Sequence, residues 1–229
     1  MSEKQMRLGA LEAGGTKMVC AVVSGDGEVL DRMETPTLMP AETVPQMVEW
    51  FTARDVDALG IGAFGPTCVD PNDERYGSIL QTPKLAWRGY DFLGEMQRGL
   101  AVPCGYDTDV NGACLGEVMY GAGKGLDNVV YITVGTGIGG GIIENGRLIQ
   151  GRRGIGGEIG HYIINFDGVV CPCGNRGCFE RYGSTGALVR RFTENVALLE
   201  KLGVPAEDVN GKVIFDHLDD ADVSATVNS

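Results

Sequence analysis

The chain has 229 residues, of which 43% are hydrophobic and 22% are charged, a composition that excludes extensive disorder and a membrane-embedded protein. The net charge of −12 argues against a nucleic-acid partner, because Lys and Arg side chains are needed to neutralise phosphates. The start at Ser2–Gln5 is polar, which argues against a signal peptide, and no stretch is long enough to span a bilayer. We therefore expect a cytoplasmic protein.

The first predicted elements are three strands joined by two turns. The apolar segment Arg7–Leu11 runs into a glycine turn at Gly14–Lys17, and the apolar segment Met18–Val23 follows it. Gly25–Gly27 is a second turn signal, and an alternating pattern resumes over Glu28–Met33. Short apolar segments separated by glycine turns predict a β-meander rather than a βαβ unit.

An amphipathic helix is predicted next, because Val44, Met47, Val48 and Phe51 recur at helical spacing. We predict this helix over Thr43–Arg54, with Thr43 as N-cap and Pro45 in the first turn. The later predicted elements are strands over Leu59–Phe64, Cys104–Asp107 and Val129–Val134, and a helix over Asp109–Tyr120.

A second glycine turn follows the strand Val129–Val134, and Ile142 and Ile143 before Asn145-Gly146 predict a β-hairpin. Both parts of the chain therefore have a glycine turn between strands. This weak internal repeat predicts a duplicated α/β lobe with a cleft between the two copies.

The two glycine turns are candidates for binding phosphate, because backbone N–H groups in such turns can bind phosphate oxygens. For Gly14–Lys17, a plain hairpin is an equally good interpretation. The segment Gly135–Gly140 matches the dinucleotide pattern G-x-G-x-x-G, but a strand pattern follows it instead of a helix, so we reject dinucleotide binding. Neither turn matches a Walker A loop.

Asp109 is the candidate catalytic residue. It lies in the run Asp107–Asn111, where a predicted strand ends and a predicted helix begins. A carboxylate there can take the proton from a hydroxyl that attacks phosphorus, and the helix N-terminus favours its ionised form. On this residue alone, a helix cap without chemistry is the simpler interpretation.

Three cysteines and one histidine form the most specific pattern. Cys171, ten residues after His161, is followed by Cys173 and Cys178. Three thiolates and one imidazole complete a tetrahedral zinc shell, so the zinc would be structural, with no position open for water. The alternative of incidental thiols is weaker, and the acidic charge opposes a zinc knuckle that binds RNA.

Two acidic residues flank this pattern. Glu158 lies three residues before His161, and Glu180 lies two residues after Cys178. Carboxylates accept hydrogen bonds from hydroxyl groups, such as those around a sugar ring. The alternative is that they are ordinary surface acids, in a chain with 31 Asp and Glu.

The four remaining cysteines lie in apolar stretches. We predict that they are buried packing residues and that all seven thiols are reduced. The four are Cys20, Cys68, Cys104 and Cys114.

Together these motifs resemble the ROK family of sugar kinases and repressors, which has the actin-like ATPase (ribonuclease H-like) fold. The resemblance extends to about Arg191. The matching segments are Glu12–Lys17, Asp109–Asn111, Thr133–Gly141, Gly157–His161 and Cys171–Glu180. The last two are highly specific in combination.

The resemblance implies an α/β protein of two lobes with a cleft between them, residues 1–108 forming the N-terminal α/β lobe and residues 109–229 the C-terminal lobe with the zinc motif. It implies ATP-dependent phosphorylation of a hexose, with Asp109 as general base and Mg²⁺ arriving with ATP. A homodimer is the family expectation. The implied nucleotide-binding residues are Gly14, Gly15, Thr16, Lys17, Gly135, Thr136 and Gly137. The implied sugar-binding residues are Asn111, Glu158, His161 and Glu180, and the implied zinc ligands are His161, Cys171, Cys173 and Cys178.

The substrate motifs are mixed. Gly62–Pro66, Thr82–Lys84 and Trp87-Arg88 are similar to the fructokinase branch. The run Gly156–His161 with the full cysteine motif is similar to the glucokinase and N-acetylhexosamine kinase branches. Fructose ranks first, and glucose and mannose stay open.

Family members continue beyond the point where this sequence stops, so the resemblance also implies that the second lobe is incomplete. After Val209 the sequence becomes acidic over Asp216–Asp222. Two alternatives to an active kinase follow. One is a sugar-binding fragment without catalysis. The other is a ROK regulator, although only eleven residues precede Glu12, where that class carries a helix-turn-helix domain.

Overall fold

The computed structural model describes residues 6–152 and 154–228. The chain divides into two compact units, one comprising Met1–Tyr131 with Gly141–Gly156 and the other Ile132–Gly140 with Gly157–Ser229. The division into lobes at residues 1–108 and 109–229 stays a prediction.

The first unit contains a five-stranded sheet. Its strands are β1 (Arg7–Ala13), β2 (Lys17–Ser24), β3 (Val29–Pro36), β4 (Ala58–Ala63) and β5 (Cys104–Thr108). The strand order is β3-β2-β1-β4-β5. The first three strands pair antiparallel, which confirms the predicted meander, whereas β1, β4 and β5 run parallel.

The parallel strands end together at one edge of the sheet. Ala13 of β1 pairs with Ala63 of β4, and Ala63 pairs with Thr108 of β5. Because neighbouring strands lie about 4.8 Å apart, the ends of β1 and β5 are about 10 Å apart. The residues that follow these two strands are therefore brought to the same edge.

The helices of this unit are α1 (Pro40–Thr52), α2 (Phe92–Leu100) and α3 (Asp109–Tyr120). The prediction for α3 is confirmed. For α1 the predicted start at Thr43 is wrong, because Pro40, with its φ preset for a helix, occupies the first turn. Thr43 is instead buried, its hydroxyl accepting a hydrogen bond from the Leu38 amide, and Pro45 lies inside the helix.

Helix α2 was not predicted from the sequence. Asp91 caps this helix by accepting a hydrogen bond from the Gly94 amide at 3.0 Å. Phe92, Leu93 and Met96 of α2 are buried in the core of the first unit. The capping aspartate before residues at helical spacing was the available signal.

The second sheet has the order β6-β7-β8, with β6 at Val129–Val134, β7 at Ile138–Glu144 and β8 at Arg147–Leu148. Asn145 and Gly146 join β7 to β8, both with positive φ, which confirms the predicted two-residue hairpin. Because β7 starts directly after Gly137, no helix follows the second glycine turn. The prediction that a strand rather than a helix follows this turn is therefore confirmed.

Short helices make up much of the second unit. They are α4 (Glu180–Gly183), α5 (Thr185–Glu194), α6 (Val196–Leu202), α7 (Gly211–Asp216) and α8 (Ala221–Val227). Phe192, Leu198, Ile214 and Val223 contribute to one buried cluster. The acidic segment after Val209 thus forms two packed helices that the sequence analysis did not predict.

Among the described residues, no helix has the length and apolar character needed to cross a bilayer.

Candidate functional site

The first glycine turn is a tight connection between β1 and β2. The Gly14 amide donates to the Lys17 carbonyl at 3.0 Å. Thr37 holds the turn from the side, its hydroxyl donating to the Gly14 carbonyl at 2.7 Å and its amide to the Thr16 carbonyl at 2.9 Å. Three hydrogen bonds therefore fix the main chain of this predicted phosphate-binding segment.

Lys17, the predicted cation of this turn, forms an ion pair. Its ammonium lies 3.0 Å from each carboxylate oxygen of Glu34, on the exposed surface of β3. The Lys17 hydrogen bond lowers the pKa of the Glu34 carboxyl. An exposed pair of this kind stabilises the protein little, so breaking it costs little free energy.

Replacing Gly14 with alanine is expected to destabilise the protein by about 1–3 kcal/mol, as overpacking usually does. A Cβ at this position would lie 2.6 Å from the Lys17 carbonyl oxygen, which is main chain and cannot turn away. The matched control is Gly15→Ala, because a Cβ there meets nothing within 4 Å. Urea unfolding of both variants measures the difference, and equal stabilities would contradict the prediction.

Asp109 is the first residue of α3, directly after the end of β5. Thr108, and not Asp109, caps the helix, because the Thr108 hydroxyl accepts a hydrogen bond from the Asn111 amide at 3.1 Å. Asp109 Oδ1 accepts from the Val110 amide at 2.9 Å. The interpretation of Asp109 as the helix cap is therefore wrong.

Glycine lets α3 approach the sheet closely at this point. A Cβ on Gly62 of β4 would lie 3.2 Å from Asp109 Cα. Since β1, β4 and β5 end at the same edge, the first glycine turn and Asp109 lie on one side of the first unit. Ligands of open α/β sheets bind at the carboxyl ends of parallel strands.

Asp107, to which no role was assigned from the sequence, contacts the predicted sugar-binding residue Asn111. Its Oδ1 accepts from Asn111 Nδ2 at 2.6 Å and from the Thr108 amide at 2.8 Å, and its Oδ2 accepts from Gln150 Nε2 at 2.7 Å. Asn111, predicted to bind sugar, is buried with its amide nitrogen directed at Asp107. Asp107 lies inside the Asp107–Asn111 run that was noted in the sequence, whereas no local sequence pattern indicated a role for Gln150.

The second glycine turn lies in the second unit, between β6 and β7. The Gly135 amide donates to the Gly137 carbonyl at 2.9 Å. The Ile138 amide donates to Glu180 Oε2 at 2.9 Å. One predicted sugar-binding residue is thus in contact with the predicted nucleotide turn.

The structure brings the four predicted metal ligands together. The ligand atoms of His161, Cys171, Cys173 and Cys178 all lie within 4.8 Å of one another. Cys171 Sγ is 3.6 Å from His161 Nδ1, and Cys173 Sγ is 3.6 Å from Cys178 Sγ. A tetrahedral zinc with Zn–S bonds of about 2.3 Å requires S···S separations of about 3.8 Å, so these residues fit a metal ion.

Local backbone chemistry produces this cluster. The Gly174 amide closes a turn onto the Cys171 carbonyl at 3.0 Å, with Gly174 at a φ of 97°. Gly177 has a φ of 70°, and a Cβ there would overlap the Asn165 carbonyl. Glycine is therefore required at both positions between the cysteines.

His161 can serve two partners through its two ring nitrogens. Nδ1 faces Cys171, whereas Nε2 lies 3.9 Å from Glu158 Oε2. A carboxylate on the second nitrogen orients a metal-bound imidazole. Glu158 and His161 are both partly exposed, which leaves them accessible to a hydroxyl group.

The four scattered cysteines are half-buried or buried, with Cys104 the half-buried one. Burial raises the pKa of the Cys20 thiol to about 12. A thiol that stays protonated is unreactive, which is consistent with a packing role.

The predicted site residues thus fall into two groups. The first unit holds Gly14, Gly15, Thr16, Lys17, Asp109 and Asn111, and the second unit holds Gly135, Thr136, Gly137, Glu158, His161, Glu180 and the three cysteines.

The protein is a mixed α/β protein with the fold of actin-like ATPases, which its solved relatives share. A solved ROK family glucokinase from Streptomyces griseus, in complex with glucose and AMPPNP, superimposes with a TM-score of 0.73. It is 32% identical, with 96% of this chain and 75% of that chain covered.

The chain belongs to the ROK family, whose model matches residues 8–228. A fructokinase from Pediococcus pentosaceus is 46% identical over 160 residues, which are 70% of this chain and 55% of that protein. A fructokinase from Zymomonas mobilis subsp. mobilis is 36% identical over 212 residues, 87% of this chain and 68% of that protein. The chain thus spans between 55% and 68% of the length of these curated relatives.

Proposed function

We propose that the protein transfers the γ-phosphate of ATP to a hydroxyl group of a hexose, with Asp109 as general base. The observation that carries this proposal is the shared sheet edge, where the Gly14–Lys17 turn and Asp109 both follow parallel strands. A phosphate-binding turn beside a carboxylate at a helix N-terminus is suited to in-line transfer to a hydroxyl oxygen.

In the proposed reaction, the hydroxyl oxygen of the sugar bonds to the γ-phosphorus, and Asp109 accepts the proton of that hydroxyl. The bond between the γ-phosphorus and the ADP oxygen breaks. Asp109 is at the positive end of α3, which favours the ionised carboxylate that a base requires. The amides and hydroxyl of the two glycine turns would hold the phosphates. Mg²⁺ that arrives with ATP would offset charge on the phosphate oxygens.

Glu158, His161 and Glu180 are the sugar-binding residues we propose in the second unit, and Asn111 is the one in the first. Carboxylate oxygens accept from sugar hydroxyls, and His161 Nε2 is the ring nitrogen not directed at the cysteines.

Zinc is the metal we propose for His161 and the three cysteines. A Cys₃His set with four protein ligands is typical of structural zinc, with no position left for a reacting water. A reducing cytoplasm suits this assignment, because thiols must be unoxidised to bind metal. Cytoplasmic location and a homodimer are parts of the same proposal.

Fructose is the substrate we favour, because it is the sugar in the names of the relatives from Pediococcus and Zymomonas. Glucose follows, because the solved Streptomyces griseus relative is a glucokinase with bound glucose. Mannose is the third candidate.

A coupled ADP-release assay on the metal-loaded chain, with ATP, Mg²⁺ and separate samples of fructose, glucose and mannose, tests this function. We expect ADP release that depends on a hexose and is fastest with fructose. Folded, metal-loaded protein that binds a hexose but releases no ADP with any of them would identify the chain as a sugar-binding fragment. Absence of sugar binding as well would contradict the proposed function.

A further inference from the structure

The second glycine turn is held by the segment that begins directly after the last cysteine of the metal cluster. The Thr185 amide donates to the Gly135 carbonyl at 2.8 Å, and the Gly186 amide to the Thr136 carbonyl at 3.3 Å. Together with the bond from the Ile138 amide to Glu180, three hydrogen bonds join the turn to the start of α4 and α5.

Of these three hydrogen bonds, the bond to Glu180 involves a side chain, and the other two join main-chain atoms. A carboxylate that accepts from a backbone amide forms a charge-assisted bond, about twice as strong as a neutral one. Position 137 has room for this carboxylate because it lacks a side chain: a Cβ on Gly137 would lie 2.5 Å from Glu180 Oε2. Glycine at 137 is therefore what lets the carboxylate reach the turn.

This contact also occupies one amide at the end of the turn. The Gly135 amide is bonded to the Gly137 carbonyl, and the Ile138 amide is bonded to Glu180. The amides of Thr136 and Gly137 lie between these two bonded ends of the turn. A preformed turn binds phosphate without the entropy cost of ordering it.

We propose that Glu180 is a positioning residue that fixes the second glycine turn for the phosphates of the nucleotide. Because Glu180 follows Cys178 by two residues, the metal cluster supports the turn through it. The inference rests on the proposed kinase function for its nucleotide, but the contact itself is a property of the chain alone.

If Glu180 had a role in sugar binding only, replacing it would have different effects. The carboxylate has two oxygens, and the second is left for a hydroxyl. If Glu180 acts only on sugar, its loss raises KM for the hexose and leaves the turn unchanged. If it positions the turn, its loss raises the exchange rate of the Ile138 amide and KM for ATP.

The decisive measurement is amide hydrogen exchange by NMR on the metal-loaded chain without nucleotide. We expect Ile138 to exchange at least about tenfold faster in Glu180→Ala, corresponding to about 1.4 kcal/mol, close to the lower end for a hydrogen bond to a charged group. Glu180→Gln keeps an acceptor oxygen and should restore most of the protection. The matched control is Glu194→Ala, which removes an exposed carboxylate of the same unit that pairs with Arg190.

A second pair of variants tests the contact from the turn side. Gly137→Ala pushes the carboxylate away and should accelerate Ile138 exchange as Glu180→Ala does. Gly135→Ala should not, because a Cβ there meets nothing within 4 Å. Unchanged Ile138 exchange in both Glu180→Ala and Gly137→Ala would overturn the inference.

Nucleotide binding gives the functional readout. With a non-hydrolysable ATP analogue as probe, calorimetry should show affinity weakened at least fivefold by Glu180→Ala and restored by Glu180→Gln. Loss of Ile138 protection with unchanged analogue affinity would refute the nucleotide role. A wild-type chain with a protected Ile138 amide but no analogue binding would count against the proposed kinase function and leave the structural contact standing.

Discussion

Replacing Asp109 with asparagine is expected to lower kcat by about 10²–10⁴-fold, the usual contribution of a general base. Asparagine has nearly the same shape and can still accept the hydrogen bond from the Val110 amide through its carbonyl oxygen. It cannot take a proton from the sugar hydroxyl. The ADP-release assay measures the rate, and calorimetry should show hexose affinity within about threefold of the wild type.

The control for this variant is Asp127→Asn, which also removes one carboxylate from the first unit. Asp127 is exposed, and its main-chain carbonyl accepts from the Gly146 amide, so the side chain is not needed for that contact. This control should keep full activity. Full activity in Asp109→Asn as well would restrict Asp109 to a structural role at the start of α3.

Metal removal is the second change with a large expected effect. The cluster is built from one histidine and three cysteines, two of them buried, around turns that glycine alone permits. For a metal present at 1,000 times its Kd, binding contributes about 4 kcal/mol of stability. At about 2–4 °C per kcal/mol, we expect chelation to lower Tm by about 8–16 °C.

Metal analysis and thermal unfolding check this prediction together. The wild-type chain should hold one zinc, and Cys178→Ser should lose it together with the thermal stability. Cys104→Ser is the matched control, because Cys104 lies in the first unit, outside the cluster. A chelated, metal-free chain with unchanged Tm would show that the cluster does not depend on metal for its structure.

Features governed by residues close in sequence were predictable. The helix over Asp109–Tyr120, the strand over Val129–Val134 and the hairpin at Asn145-Gly146 all follow from local periodicity and turn chemistry. The four metal ligands were also identifiable, because their spacing and chemistry are specific. The start of α1 was missed because Pro40 initiates a helix before its apolar spacing begins.

Contacts between distant segments were not predictable in the same way. The bond from Gln150 to Asp107 joins residues 43 positions apart, and the bond from Ile138 to Glu180 joins residues 42 positions apart. Judged from the sequence alone, Asp107 and Glu180 could equally well be exposed to solvent without a partner in the protein. The chain must first fold before such a carboxylate has one defined donor.

The amino-acid sequence by itself determined the family, the candidate metal-ligand set and the candidate base, because each depends on residue type at fixed spacing. Only the tertiary structure decided the sheet order that brings the ends of β1 and β5 to one edge. It also decided that Thr108 caps α3 and that Glu180 binds the second glycine turn. The physical reason is that strand pairing and long-range hydrogen bonds are selected by the packing of the whole unit, which no short window of sequence contains.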